Sequence, residues 1–102
     1  IAESNAISRL LGEHAFDIQI NSTKSVTGHL LGAAGVIEAI AILNSITHGI
    51  VPPTINHFTD DEKIDSRLNF TFNNAVKKEV NIAMSNTFGF GGHNACVLFT
   101  KI

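Results

Sequence analysis

Leu30-Leu31-Gly32-Ala33-Ala34-Gly35-Val36-Ile37-Glu38-Ala39-Ile40-Ala41-Ile42-Leu43-Asn44-Ser45-Ile46 is apolar around nearly its whole circumference, with Glu38 as its only charge. A helix of that kind must be covered on all sides, so these residues predict a long buried helix at the centre of a fold. A membrane span is the competing reading. Seventeen residues interrupted by Gly32, Gly35, Glu38, Asn44 and Ser45 fall short of the roughly 20 largely apolar residues a span needs. Gly28, Gly32 and Gly35 with Ala33 and Ala34 strip bulk from the helix start and let another backbone come close, at up to ~1 kcal/mol of helix propensity per glycine. Glu38 cannot stay buried without a cation, and Lys24 is the nearest in the preceding polar segment.

Upstream, apolar residues at 1, 2, 6, 7, 10 and 11 follow a 3.6-residue period, and Gly12 supplies a stop. Phe16, Ile18 and Ile20 alternate with Asp17 and Gln19, the pattern of a half-buried strand. Downstream, His48-Gly49 ends the helix and Pro52-Pro53 forces an extended connection. Asp60, Asp61, Glu62 and Asp65, flanked by Lys63 and Arg67, read as a solvated loop. Leu68, Phe70 and Phe72 alternate like a strand, as do Val80, Ile82 and Met84, and Ala95 to Phe99 is a continuous apolar run expected of a strand buried on both faces.

The 102 residues are 44% hydrophobic and 16% charged, with seven Phe and no Trp or Tyr. That charge fraction lies below the ~25% of an average soluble domain, so much of the chain expects to be covered. One core at most fits this length. A net charge of −2 with basic residues scattered apart from Lys77-Lys78 offers no stripe to neutralise a phosphate backbone, which argues against nucleic acid. A single cysteine, Cys96, rules out an internal disulfide framework. Its apolar strand has no neighbour to stabilise a thiolate, so it reads as a small core residue. The five histidines show no ligand spacing for a metal. Asn21-Ser22-Thr23 and Asn69-Phe70-Thr71 match the glycosylation pattern, which is frequent by chance. Opening on Ile1, the chain shows no targeting signal and reads as a fragment.

Two segments call for a reason beyond packing. Asn21 to His29 delivers Lys24 and His29 to the mouth of the apolar helix, where partial positive charge favours a neutral, hydrogen-bond-donating imidazole. That suits an oxyanion stabiliser; a capped helix start with a hydrogen-bonded histidine is the plainer reading. At 100° per residue, Glu38 and His29 would sit half a turn apart on one regular helix, so His29 is expected to precede it. Asn86-Thr87-Phe88-Gly89-Phe90-Gly91-Gly92-His93-Asn94 links two predicted strands. It is no dinucleotide fingerprint, because Asn94 stands where a third glycine would fall and a strand follows. Either it is a plain glycine-rich hairpin, or its glycines free a backbone that carries a swinging phenylalanine.

Taken together, Ser22-Thr23-Lys24-Ser25-Val26-Thr27-Gly28-His29-Leu30-Leu31-Gly32-Ala33-Ala34-Gly35 and Asn86-Thr87-Phe88-Gly89-Phe90-Gly91-Gly92, with Pro52-Pro53-Thr54-Ile55-Asn56 between them, resemble the β-ketoacyl-acyl-carrier-protein synthases. The similarity runs over essentially all 102 residues and is to the C-terminal quarter of the elongating, decarboxylating enzymes. It implies an α/β chain, residues 1–102 forming an incomplete C-terminal portion of a ketoacyl synthase domain. That portion would belong to the C-terminal half of a thiolase-like five-layer α-β-α-β-α fold, with a long buried helix and a mixed sheet. The strand order would be completed by an upstream segment, which makes folding of this portion alone doubtful.

The resemblance also implies a reaction, decarboxylative Claisen condensation of malonyl-carrier protein with an acyl-enzyme thioester in fatty-acid elongation. His29 would be one of two imidazoles that donate to the thioester oxygen. Lys24 would orient the catalytic groups and pair with Glu38. Phe90 would gate entry of the malonyl substrate and lend its backbone N–H to the oxyanion hole, on a loop with Phe88, Gly89, Gly91 and Gly92. In some members Glu38, Ser85 and Asn86 join a buried monovalent-cation site; no other metal and no organic cofactor are expected, acyl groups arriving on the phosphopantetheine of acyl carrier protein. A homodimer and a bacterial cytoplasmic, plastid or mitochondrial location follow the same resemblance, His93 matching the form common in plastid enzymes. The nucleophilic cysteine and the second histidine would lie upstream of Ile1, so this portion alone is expected to be inactive. The alternatives are a polyketide ketosynthase, a non-catalytic chain-length-factor-like homologue, or a non-enzymatic acyl-binding module.

Overall fold

A computed structural model describes residues 1–102. Helix α1, Ala2–Leu11, ends as expected at Gly12, whose φ of 57° lies in the left-handed region that costs an L side chain ~1–2 kcal/mol. A 3₁₀ turn, Gly12–Phe16, follows. The short α2, Lys24–Thr27, leads through Gly28 to a second 3₁₀ turn, Leu31–Ala33, and then to α3, Ala34–His48. Gly49 closes α3 at φ 65°, its N–H bonded to the Ser45 carbonyl. The two-residue strands β1, Ile50–Val51, and β2, Val76–Lys77, pair antiparallel. β3, Ile82–Gly89, and β4, His93–Thr100, form an antiparallel hairpin in register from Ile82↔Thr100 to Gly89↔His93. α3 lies against β3.

Two expected strands are reduced to single rungs. Phe16 belongs to the 3₁₀ turn, and the Arg67 guanidinium lies 4.4 Å from its ring centroid. Of the alternating run only Ile20 pairs, in a parallel bridge to Phe70, while Thr54 bridges Phe72 in the same sense. Residues 68–72 are therefore extended and held on both sides without becoming a ladder. The cause is local: the N–H groups of Phe70, Phe72 and Asn74 bond the carbonyls two residues back, at 3.3, 2.9 and 2.7 Å, in γ-turn fashion. Those donors are spent before a neighbouring strand can use them. The mixed sheet is thus two separate antiparallel pairs plus isolated parallel bridges. Val80 falls outside β3, which starts at Ile82.

The expectation of burial is corrected. α3 is helical where its pattern predicted, apart from a later start, yet it is not enclosed. Val36, Ile40 and Leu43, at i, i+4 and i+7 on one face, are 63%, 50% and 52% exposed. Val97 and Leu98 of β4 are exposed too, and so is Cys96, against the reading of a strand covered on both faces. The chain lays β3 against α3 and nothing on the opposite side. The buried apolar residues are Ala15, Ala34, Val51 and Leu68. An accessible surface of 7398 Å² compares with about 5,600 Å² for a compact protein of this mass.

The membrane argument is revised as well, since Leu31–His48 is long and apolar enough by length and composition to cross a bilayer, with a mean hydropathy of 1.4. What speaks against a span is Glu38 in its middle, paired with a lysine from outside the helix.

Around the acidic loop, Arg67 clasps Asp65 through Nε, Nη2 and its own backbone N–H at 3.0, 2.7 and 3.0 Å. The Arg67 side chain, then its N–H, hold the Asp65 carboxyl down at about 2 from an ordinary 3.8. A depressed carboxylate stabilises the fold above its unfolded value, so this contribution is present above pH 3.8 and fades as pH falls toward 2. A carboxyl-carbon NMR titration should show Asp65 titrating well below 3.8, and Arg67→Gln should return it to the ordinary range. The bare apolar faces carry a second expectation: the isolated 102-residue polypeptide should bind ANS strongly and lose secondary structure without a sharp thermal transition. A cooperative transition without dye binding would contradict the exposure described.

Candidate active site

The polar segment before α3 is fixed by stitches to the proline-rich connection. Asn21 Nδ2 donates to the Pro52 carbonyl at 2.5 Å, the Ser22 N–H to Thr54 Oγ1 at 2.7 Å, and the Ile55 N–H to Ser25 Oγ at 2.9 Å. Within the segment, Ser25 Oγ and Thr27 Oγ1 bond back to the carbonyls of Ser22 and Thr23, which folds four residues into α2 despite its short length. Lys24 opens that turn and its Nζ bonds Glu38 Oε1. Glu38 lies one turn into α3 and is mostly buried, while Lys24 is half-buried. Ser85 Oγ, from β3, sits 3.5 Å from Glu38 Oε2.

The expected pairing of Lys24 with Glu38 is therefore present, and so is the placement of His29 before the regular helix. Gly28, at φ 79°, turns the chain between α2 and His29. The Leu31 N–H donates to His29 Nδ1 at 3.0 Å, so a neutral imidazole carries its proton on Nε2 and presents a donor there. Leu31 reaches this position at φ 51°, a strained conformation for a leucine. Neither Leu31 nor the Thr54 and Ser25 stitches stood out in the sequence; the glycines on either side of Leu31 drew attention instead.

Asn86 lies next to Ser85 on β3, with Nδ2 3.4 Å from Glu3 Oε1 of α1 and a buried Oδ1 that has no partner. Glu3, Lys24, Glu38, Ser85, Asn86 and Phe88 share the wall of a cavity of about 650 Å³ between α1, α3 and β3. The Glu38 carboxylate already holds the Lys24 ammonium on Oε1, and Ser85 rather than Asn86 is the β3 side chain near its Oε2. His29 and Phe90 do not line that cavity. Phe90 instead stands at the tip of the β3–β4 hairpin, 94% exposed, with Gly91 and Gly92 at φ 82° and 84°.

Set beside known proteins, residues 1–58 match the family described as "Beta-ketoacyl synthase, C-terminal domain". The chain belongs to that family. Across 99% of the chain it is 46% identical to 3-oxoacyl-[acyl-carrier-protein] synthase 2 of Synechocystis, and across 97% it is 48% identical to the chloroplastic 3-oxoacyl-[acyl-carrier-protein] synthase I of Hordeum vulgare. It spans 24% and 21% of those proteins, about a quarter of their length. Among solved structures it is similar to the ketosynthase of a type II polyketide complex with its acyl-carrier protein, with a TM-score of 0.92 and 40% identity over 98% of this chain and 24% of that one.

In this member of the β-ketoacyl synthase C-terminal-domain family the ion pair is open to a direct measurement. Glu38→Gln or Lys24→Met alone leaves a partly buried charge without its partner and should cost about 1–3 kcal/mol in urea unfolding of the intact protein. The double substitution Lys24→Met with Glu38→Gln should cost less than the sum. Strict additivity would show that the two side chains are not coupled.

Proposed function

We propose that this chain is the C-terminal portion of a ketoacyl synthase that performs decarboxylative condensation on thioesters of acyl carrier protein during fatty-acid elongation. The observation that carries the reading is His29, whose Nδ1 is occupied by the Leu31 N–H, at the end of the segment whose Lys24 pairs with Glu38. An imidazole so held is a preorganised donor through Nε2. It stabilises the negative charge that develops on the malonyl thioester oxygen as CO₂ leaves. The carbanion then attacks the acyl thioester held on a cysteine of the parent, with a second histidine completing the donor pair.

Lys24 keeps a positive charge beside this site while Glu38 holds its position. Phe90, on a loop with Phe88, Gly89, Gly91 and Gly92, acts as the gate, and its N–H serves the acyl-enzyme oxyanion. Glu38, Ser85 and Asn86 are the residues that would hold a monovalent cation, whose positive charge would be balanced by the Glu38 carboxylate; no organic cofactor is expected. The partner is acyl carrier protein, and the intact parent is a homodimer with the five-layer α-β-α-β-α architecture, in which absent layers cover α3 and β4. It works in a bacterial cytoplasm or in an organelle. The polyketide alternative draws support from the structural neighbour, but the two synthases named for 3-oxoacyl-carrier-protein chemistry are more similar in sequence, at 46% and 48% against 40%.

In the intact parent, His29→Ala should lower malonyl decarboxylation and condensation by about 100-fold or more, while acyl transfer to the enzyme persists. Lys24→Ala should abolish condensation, and Phe90→Ala should slow turnover while leaving the folded structure in place. Radiolabelled acyl-enzyme formation and ¹⁴CO₂ release read the two half-reactions separately. Equal loss of both in His29→Ala would remove its assigned role.

A further inference from the structure

Helix α2 is a single turn, Lys24–Thr27. One turn holds itself poorly, because it fixes several residues for very few hydrogen bonds, so its direction is set from outside. The Thr23 carbonyl starts the turn by accepting the N–H groups of Val26 and Thr27 at 2.9 and 3.0 Å. Ser22, immediately before, is gripped on both sides: its N–H donates to Thr54 Oγ1 at 2.7 Å and its carbonyl accepts the Ser25 hydroxyl at 3.1 Å.

Thr54 is a fixed post for that bond. Its own N–H donates to the Thr71 carbonyl at 2.7 Å and its carbonyl accepts the Asn73 N–H at 2.8 Å, which makes the parallel bridge to Phe72. Pro53 before it has a locked φ, and a β-branched side chain has few χ1 rotamers to choose from. The half-buried Thr54 hydroxyl thus stands on a backbone pinned from both sides. The next residue adds a second hold, the Ile55 N–H on Ser25 Oγ at 2.9 Å.

We propose that Thr54 is a positioning residue: through the Ser22 N–H its hydroxyl sets the direction of α2, and with it the places of Lys24 and, beyond Gly28, of His29 in the malonyl step, resting on the roles given to those two above. The Lys24–Glu38 contact alone leaves α2 free to pivot about one side chain, and the Ser22 bond opposes that pivot. Because the Ile55 bond remains when the Thr54 hydroxyl is removed, the turn is loosened rather than released.

The test uses the full-length synthase. Thr54→Val keeps the branched shape and removes the acceptor. It should lower kcat for malonyl decarboxylation by about three- to ten-fold, since small misplacements of catalytic groups are costly, with acyl transfer to the enzyme and KM for malonyl-carrier protein each within about two-fold of the unaltered protein. Thr54→Ser, which keeps the hydroxyl, should restore kcat. Thr54→Cys, whose sulfur is a weaker acceptor, should show a smaller loss in the same step and takes the place of the valine variant if that chain folds poorly. A loss shared equally by both half-reactions means that the hydroxyl serves only the fold, and overturns the proposal. So does failure of Thr54→Ser to restore what Thr54→Val removes. His29→Ala measured in parallel separates the two ideas. If it lowers decarboxylation while Thr54→Val does not, the positioning role is wrong and the role of His29 stands; if His29→Ala leaves decarboxylation unchanged, both are wrong.

Discussion

The contact between Lys24 and Glu38 joins two segments that otherwise have little reason to meet. One is a polar, hydroxyl-rich turn with no apolar face to bury, the other a helix with almost nothing but apolar faces. A carboxylate placed one turn into such a helix has to find a cation or leave the interior, and the cation it finds begins α2. From that anchor the rest follows in sequence. α2 holds Gly28, Gly28 turns the chain, and the Leu31 N–H meets His29. On the other side of Glu38, Ser85 brings β3 to the same carboxylate. The ion pair is thus the point where loop, helix and strand are referred to one another.

That pair was legible because a lone charge in an apolar run has few ways to be satisfied. The helix and the β3–β4 hairpin were legible for a similar reason, since each satisfies its backbone locally and its side-chain period shows through. What could not be read was which faces are covered. Val36, Ile40, Val97 and Cys96 carry the composition of a core yet are exposed. Hydrophobic pattern reports what a segment needs, not what lies beside it.

The runs at Phe16–Ile20 and Leu68–Phe72 misled for a different reason. The first begins inside a 3₁₀ turn that takes up Phe16, and in the second an alternation that a strand would also show belongs to an extended segment that spends its N–H groups in γ-turns. Leu31 was invisible for a related cause: a left-handed leucine looks like any other leucine until its backbone is seen. The stitches from Ser25 and Thr54 were hidden among hydroxyls that are individually unremarkable, and their meaning lies in a pairing across about thirty residues of chain that no local pattern encodes.

The single rungs between distant segments bear on the order in which the chain organises itself. The β3–β4 hairpin closes over three residues and α3 forms from its own neighbours, so both are available within microseconds. The bridge from Ile20 to Phe70 must instead close a loop of about fifty residues for one rung of hydrogen bonding, an exchange in which lost chain entropy exceeds what two bonds return. That rung has little strength to lead assembly. It persists only where the elements on either side hold its ends together.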